Sequence, residues 1–461
     1  MRELRLRSVH RDYRVSKSKT KCYCGNEEIF VSKGSNILSQ IATRILRRYL
    51  VGSDQQWHFD PLPKDWTPSP VKQTSLYLHV PFCRNCCPYC PYTKVTYDEK
   101  LVEPYTQAAL AEVNWWADKI GPAEITSIYI GGGTPTLALD SVAEILTLIR
   151  NKFHLTGDVC IETNPSNVNS LTIKKLHDAN ISLVSLGVQS FRSENLKIIG
   201  RDYKPDIAEH ALTLLANGGF ASVNVDLMFA LPGQTIDDVI KDLTKAEKLG
   251  ANQLTTYPLF TFPYTSIGKY LNLTSVRMPN LRVRRSHYKA INEWCIEHDF
   301  KRVSVWGFKR GAVPRYSSVT RDSYIGIGPG AGSHLPDEFV INTFALDSWI
   351  SAISEGHTAS ALRMPFTVMM SNWWWLYWRF YDTRIPLDNF AMYFGKESRK
   401  ARCLFKIMEL CGFAVHNEGY LELTEPGSFW LHLVQNHFAL SYINTVWTQA
   451  RRIPWPRTVT I

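Results

Sequence analysis

The chain has 461 residues, 45% of them hydrophobic, and its 52 Lys and Arg against 42 Asp and Glu give a formal charge of +10. So much apolar material excludes a largely disordered chain and can bury a sizeable core in one large domain with smaller appendages. The basic excess suits an anionic substrate, a nucleic acid or simply a solvated surface, of which the last is the commonest.

Residues 1–73 form a basic extension and Pro-rich linker outside the main fold. They run from an Arg/Lys/Ser-rich arm through Cys22 and Cys24 and an amphipathic stretch, Ile37 to Leu50, to prolines at 61, 63, 68 and 70. An organelle transit peptide is the second reading of the arm. No apolar signal segment opens the chain, and four of the ten cysteines crowd between Cys83 and Cys90. That usage fits a reducing cytoplasm better than secretion. No apolar run reaches the roughly 20 residues of a membrane span; even Trp373 to Trp378 ends at Arg379.

From Ser75 onward, β-rich runs (SLYLHV, SIYI, VCIE, LVSLGV, VNVDLMF, LTTYPLF, RVSVWGF) alternate with helical stretches such as Val102 to Ile120 and Ile236 to Leu249. Repeated β-then-α order predicts parallel strands with helical crossovers over 74–335, either an α/β barrel or an open doubly wound sheet. Distinctive residues follow each strand: HVPFC, GGGTPT, ETNP, GVQSF and ALPGQ. In a barrel all of these converge on one mouth. After Gly328-Pro329-Gly330 the pattern becomes helical, with a hairpin-like AVHNEGYLELT, which predicts a separate helical domain with a β wing over 336–461.

Cys83, Cys87 and Cys90 are spaced C-x3-C-x2-C. Three thiolates can hold a [4Fe-4S] cube and leave its fourth iron open to another ligand. Cys83/Cys86 and Cys87/Cys90 also read as two C-x2-C pairs, but zinc folds put a spacer between such pairs and here there is none. Cys86 is then a spare thiol or an alternate ligand.

With the ordered strand ends, this motif resembles the radical S-adenosylmethionine (SAM) family that contains oxygen-independent coproporphyrinogen dehydrogenase, the HemW-type haem chaperones and a C-methyltransferase branch. The resemblance implies a partial (β/α) barrel closed by a winged-helix-like domain. It also implies a [4Fe-4S] cluster whose open iron chelates SAM, a cofactor cleaved by one electron to a 5′-deoxyadenosyl radical. A reductase such as flavodoxin or ferredoxin would supply that electron. By the same resemblance Tyr77 touches the SAM carboxylate, Tyr89 flanks the last cluster cysteine, and Gly131, Gly132, Gly133 and Thr134 receive the methionine amino group. Glu162, Gln189, Arg201 and Asp226 match further cofactor-binding positions. A carboxylate suits ribose hydroxyls and a guanidinium suits a carboxylate. No catalytic residue for the substrate step is identified.

Three features choose among the branches. Tyr92 stands where the dehydrogenase has a further cysteine, and that enzyme's N-terminal substrate signature is not recognisable in residues 1–73. The stretch Tyr316 to Tyr324 lacks the His-Asn and Trp of the haem-chaperone motif. Carbon alkylation, chiefly C-methylation with two SAM molecules in one cavity, is therefore the first expectation. Decarboxylation or opening of a tetrapyrrole is the second, and a haem-binding chaperone the contrasting class. The substrate is expected to be a small anionic or aromatic molecule. The stripe Trp374, Tyr377, Trp378 and Tyr381 is expected to be core, and no basic recognition helix points to nucleic acid.

Overall fold

The computed structural model describes residues 57–262, 264–267, 278–316, 322–395 and 398–461. The Cys22/Cys24 pair and the Ile37 to Leu50 stretch lie outside them, as does part of the Tyr316 to Tyr324 segment.

Six parallel strands lie side by side in chain order: β1 (Gln73–Val80), β2 (Glu124–Gly132), β3 (Val159–Thr163), β4 (Leu183–Gln189), β5 (Ser222–Phe229) and β6 (Gln253–Pro258). Helices follow them, including α1 (Glu99–Ile120) and α2 (Leu139–Lys152), as the β-then-α pattern requires. A seventh parallel strand, β7 (Tyr324–Ile327), joins the free edge of β1. Antiparallel Gly307–Arg310 and Phe300–Arg302 extend the other edge beyond β6. The result is the α/β partial barrel expected from the sequence.

Alternation along the strands decides what faces where. Leu76, Leu78, Ile128, Ile130, Val184, Leu186, Val223 and Val225 are buried in the main core. Side chains at the alternate positions are polar and bond to one another: Ser127 to Ser75 at 3.1 Å, Asn224 to Ser185 at 2.8 Å and Thr255 to Asn224 at 3.0 Å. A strand with one apolar and one polar face can line a wet interior while holding helices outside.

The sheet continues past residue 335 through Gly332–His334, Glu338–Asn342 and Ser360–Pro365. His58–Pro61 then pairs with Ser360–Pro365 on one side and Val459–Thr460 on the other. Residues 57–61, read from sequence as part of a detached linker, are thus stitched to the sheet, and Trp66 is packed in its core. Pairing between distant segments leaves no local sequence signal.

The helical C-terminal region comprises Val368–Tyr381, Leu387–Phe394, Ser398–Leu410 and Glu425–Tyr442, with a wing of Arg384–Pro386, Ala414–Asn417 and Tyr420–Leu423. It has its own core around Trp375, Leu376, Phe380, Phe390, Phe405 and Leu421. Arg285 grips Glu425 through two bonds of 2.6 and 2.7 Å, and Arg302 donates to the Leu423 carbonyl at 2.6 Å. These bonds fasten the region to the barrel. Of the aromatic stripe, Trp374 stacks on His334 with centroids 5.5 Å apart, and Trp378 meets Tyr381. Among the described residues no helix is long and apolar enough to cross a membrane.

Candidate cofactor site at the strand ends

The cysteine loop leaves β1 and returns between fixed points. Val95 N donates to Pro81 O and Tyr97 N to Cys83 O, each at 2.8 Å. Lys94 caps the Cys90 carbonyl at 2.8 Å, and Arg451, from the far end of the chain, donates to the Pro91 carbonyl at 2.6 Å. Within the loop Cys83 is buried, Cys87 and Cys90 are half-buried, and Cys86 is exposed. Burial pushes the Cys83 thiol up to about 12, and the neighbouring Cys90 adds to the effect. Such a group of thiols ionises together only around an electropositive body.

An iron-sulfur cube is such a body, so the donor set fits it. Among the described residues no three His, Cys, Asp or Glu side chains converge as ligands of a single ion. A cube is wider than one ion, and its thiolates stand further apart.

Gly131 to Thr134 turn beneath this loop. Gly133 N donates to Val80 O at 2.8 Å and Thr134 N to Phe82 O at 2.7 Å, while Thr134 Oγ1 lies 3.8 Å from Cys83 Sγ. Gly132 has a φ of 110°, a backbone state that side chains resist. A Cβ on Gly131 would sit 2.9 Å from a Glu162 carboxylate oxygen. Glu162 accepts from Gly132 N at 3.2 Å and from the Tyr129 hydroxyl, with the Tyr316 hydroxyl 3.5 Å away.

Tyr77 stands on β1 with its hydroxyl 2.8 Å from His79 Nδ1, and His79 Nε2 donates to the Thr93 carbonyl at 2.9 Å. That donor assignment leaves Nδ1 to accept from Tyr77. Burial holds the imidazole down to about 4, with the charge of Arg451 acting in the same direction.

Across the mouth, Arg201 donates from Nε to Tyr89 Oη at 3.0 Å and lies 5.8 Å from the centre of the Tyr203 ring. Gln189 has a φ of 71°, and its side-chain oxygen accepts from Tyr257 at 2.6 Å. Asp226 accepts from Ser185 at 3.2 Å and Asn224 at 2.9 Å. Burial, then the charge of Glu162, pushes Asp226 up to about 7. Desolvation likewise raises Glu162.

All of the sequence-derived positions thus reach one rim except Cys86, whose thiol faces solvent. The structure adds His79, Tyr129, Tyr257 and Tyr316. The first two stand two residues from Tyr77 and Gly131 on their strands, so alternation could have found them; Tyr316, in a distant loop, had no such signal. Tyr92 is 48% exposed, and Glu162, Cys90, Tyr381 and Asp226 all act electrostatically on its phenol.

Residues 77–246 match the family model of the Radical SAM superfamily. The heme chaperone HemW of Bacillus subtilis is 26% identical over 61% of this chain and 76% of its own length. Anaerobilin synthase of Escherichia coli O157:H7 is 27% identical, covering 79% of this chain and 83% of its own. Coproporphyrinogen III oxidase (HemN) from Escherichia coli, a solved structure, is 17% identical and superposes with a TM-score of 0.70 over 86% of this chain and 98% of its own. The last likeness concerns the fold. These relatives do not support the expectation of carbon methylation.

Proposed function

We propose, from the premise that this chain carries a radical SAM domain with HemW- and HemN-like relatives and uses that family's [4Fe-4S] cluster and SAM, that it performs radical chemistry on a carboxylate-bearing tetrapyrrole. The observation that carries the reading is the convergence of a loop bearing one buried and two half-buried cysteines with the glycine turn, Glu162, Arg201 and Asp226 at one barrel mouth. Cys83, Cys87 and Cys90 would hold the cluster, and Cys86 would not be a ligand. When bound, cluster and SAM supply a one-electron carbon–sulfur cleavage.

The chain's own residues do the holding. The turn from Gly131 to Thr134, its amides at 132, 133 and 134 engaged by Glu162, Val80 O and Phe82 O, would set the Glu162 carboxylate beside the cysteine loop. Arg201, braced by Tyr89, supplies a positive fork for a carboxylate. The C-terminal region, which reaches the cysteine loop through Arg451 and the Pro91 carbonyl, would help to shield the mouth from water. The tetrapyrrole is drawn from the names of the haem and anaerobilin relatives and from the basic balance of the chain. Carbon methylation, the first expectation from sequence, has no comparable support.

The test is anaerobic reconstitution with iron and sulfide, followed by dithionite, SAM and haem. 5′-Deoxyadenosine with loss of the haem spectrum is expected. Deoxyadenosine with S-adenosylhomocysteine would instead restore methyl transfer, and tight haem binding with SAM left intact would make the protein a carrier. Cys83→Ala, Cys87→Ala and Cys90→Ala should each lose the cluster absorbance, whereas Cys86→Ala keeps it.

A further inference from the structure

A second feature of the mouth is unused by the cofactor residues. Phe229 and Pro258, the last residues of β5 and β6, meet helix α3 (Leu281–Glu297) and the closing helix α4 (Glu425–Tyr442) around a small cavity. Phe260, Trp306 and Phe429 supply its apolar wall. Its polar lining includes Arg284 from α3 and His432 from α4.

Neither polar group is fully satisfied among the described residues. Among the described residues Arg284 Nε is buried without a hydrogen-bond partner, and the guanidinium donates to the Leu259 carbonyl at 3.3 Å. No carboxylate pairs with it among the described residues. Both ring nitrogens of His432 are buried without a partner in hydrogen-bond geometry. Gln435, one turn along α4, can engage at most one of them. Trp306 packs edge-on against the imidazole at 4.7 Å, fixing its plane. A half-buried guanidinium with no carboxylate beside it among the described residues favours an anion. A neutral imidazole beside it adds a donor.

We propose that Arg284 and His432 form an anion subsite that takes one carboxylate of the substrate between the barrel rim and the closing helix. The space is about 10 Å³, room for about one oxygen atom of that carboxylate and no ring. The subsite stands on this geometry; that its anion is a side-chain carboxylate of a tetrapyrrole rests on the function proposed above. Binding there would add a tie between α4 and the barrel to the one that Arg285 and Glu425 already make.

The experiment uses the full chain. Thermal unfolding is followed with added propionate and, as control, propionamide. Propionate should raise the midpoint of the wild type and not that of Arg284→Met, while propionamide should do nothing. Arg284→Met should itself unfold at a higher temperature than the wild type, because it removes a half-buried charge that no described carboxylate offsets; a lower midpoint would mark the guanidinium as structural and overturn the subsite. His432→Phe, which keeps the ring volume, should weaken the propionate effect about tenfold in concentration. An equal propionate effect in wild type and both variants, or none in the wild type, would also overturn it. A second arm compares a porphyrin tetracarboxylate with its tetramethyl ester by absorbance titration. Preference for the acid that vanishes in both variants supports the whole proposal. Arg284-dependent propionate binding with no binding of either porphyrin removes the tetrapyrrole and leaves the subsite standing.

Discussion

Replacing Gly132 by Ala is the sharpest perturbation of the ledge beneath the cluster loop. Two costs add. The backbone φ of 110° is hostile to any residue with a Cβ, worth about 1–2 kcal/mol. The new methyl would also stand 2.5 Å from Cε1 of His79, and that ring cannot step aside freely. It is 2% exposed and bonded on both sides, to Tyr77 at 2.8 Å and to the Thr93 carbonyl at 2.9 Å. Overpacking of this kind costs about 1–3 kcal/mol more. The total expected is about 2–5 kcal/mol in urea unfolding of the full chain. Gly121→Ala is the matched control, because its φ is 72° and no atom lies within 4 Å of the place its new methyl would take; it should show the backbone cost alone. Adding His79→Ala to Gly132→Ala should recover the steric part, giving a non-additive double mutant. If Gly132→Ala proves no more costly than Gly121→Ala, the argument for a pinned His79 fails.

Stability should also depend on pH through His79. Its folded pKa is held down to about 4 by burial against about 6.5 in the unfolded chain, so the unfolded state takes up the proton first. The contribution is complete above about pH 6.5 and is lost as pH falls toward 4, by about 3 kcal/mol; urea midpoints for His79→Asn should fall less over that window than those of the wild type. Glu112, buried on α1, accepts from Gly328 N at 2.8 Å, Asn342 at 2.7 Å and the Trp349 indole at 3.0 Å. Glu112→Leu strands three buried donors and should cost about 3 kcal/mol or more by the same assay, with an unchanged midpoint counting against the network. Arg451→Met removes the bond to the Pro91 carbonyl, and a cluster that bleaches faster in air than that of the wild type is the expected result; identical bleaching would show that the loop holds itself.

Much of the fold and of the candidate cofactor site was legible in the sequence. Apolar and polar residues alternate along each strand, helical stretches separate the strands, and the special residues fall at strand ends, so a local pattern already implies one polar rim. Cys83, Cys87, Cys90 and the Gly131 to Thr134 turn could be found because their chemistry depends on spacing within a single loop. The positions two residues away, His79 and Tyr129, were implicit in the same alternation.

What the tertiary structure alone decided are the contacts between distant segments. Trp57 exchanges backbone hydrogen bonds with Ile461 at 3.0 Å, Arg451 reaches the loop of Cys90, and Tyr316 approaches Glu162, none of which has a periodicity to betray it. The titration of Asp226, Glu162 and His79 likewise belongs to the assembled molecule, since burial and neighbouring charge arise only once the strands have met. Local sequence specifies which group a strand end carries; only the packed barrel and its closing helix determine how dry that group is and what stands opposite it.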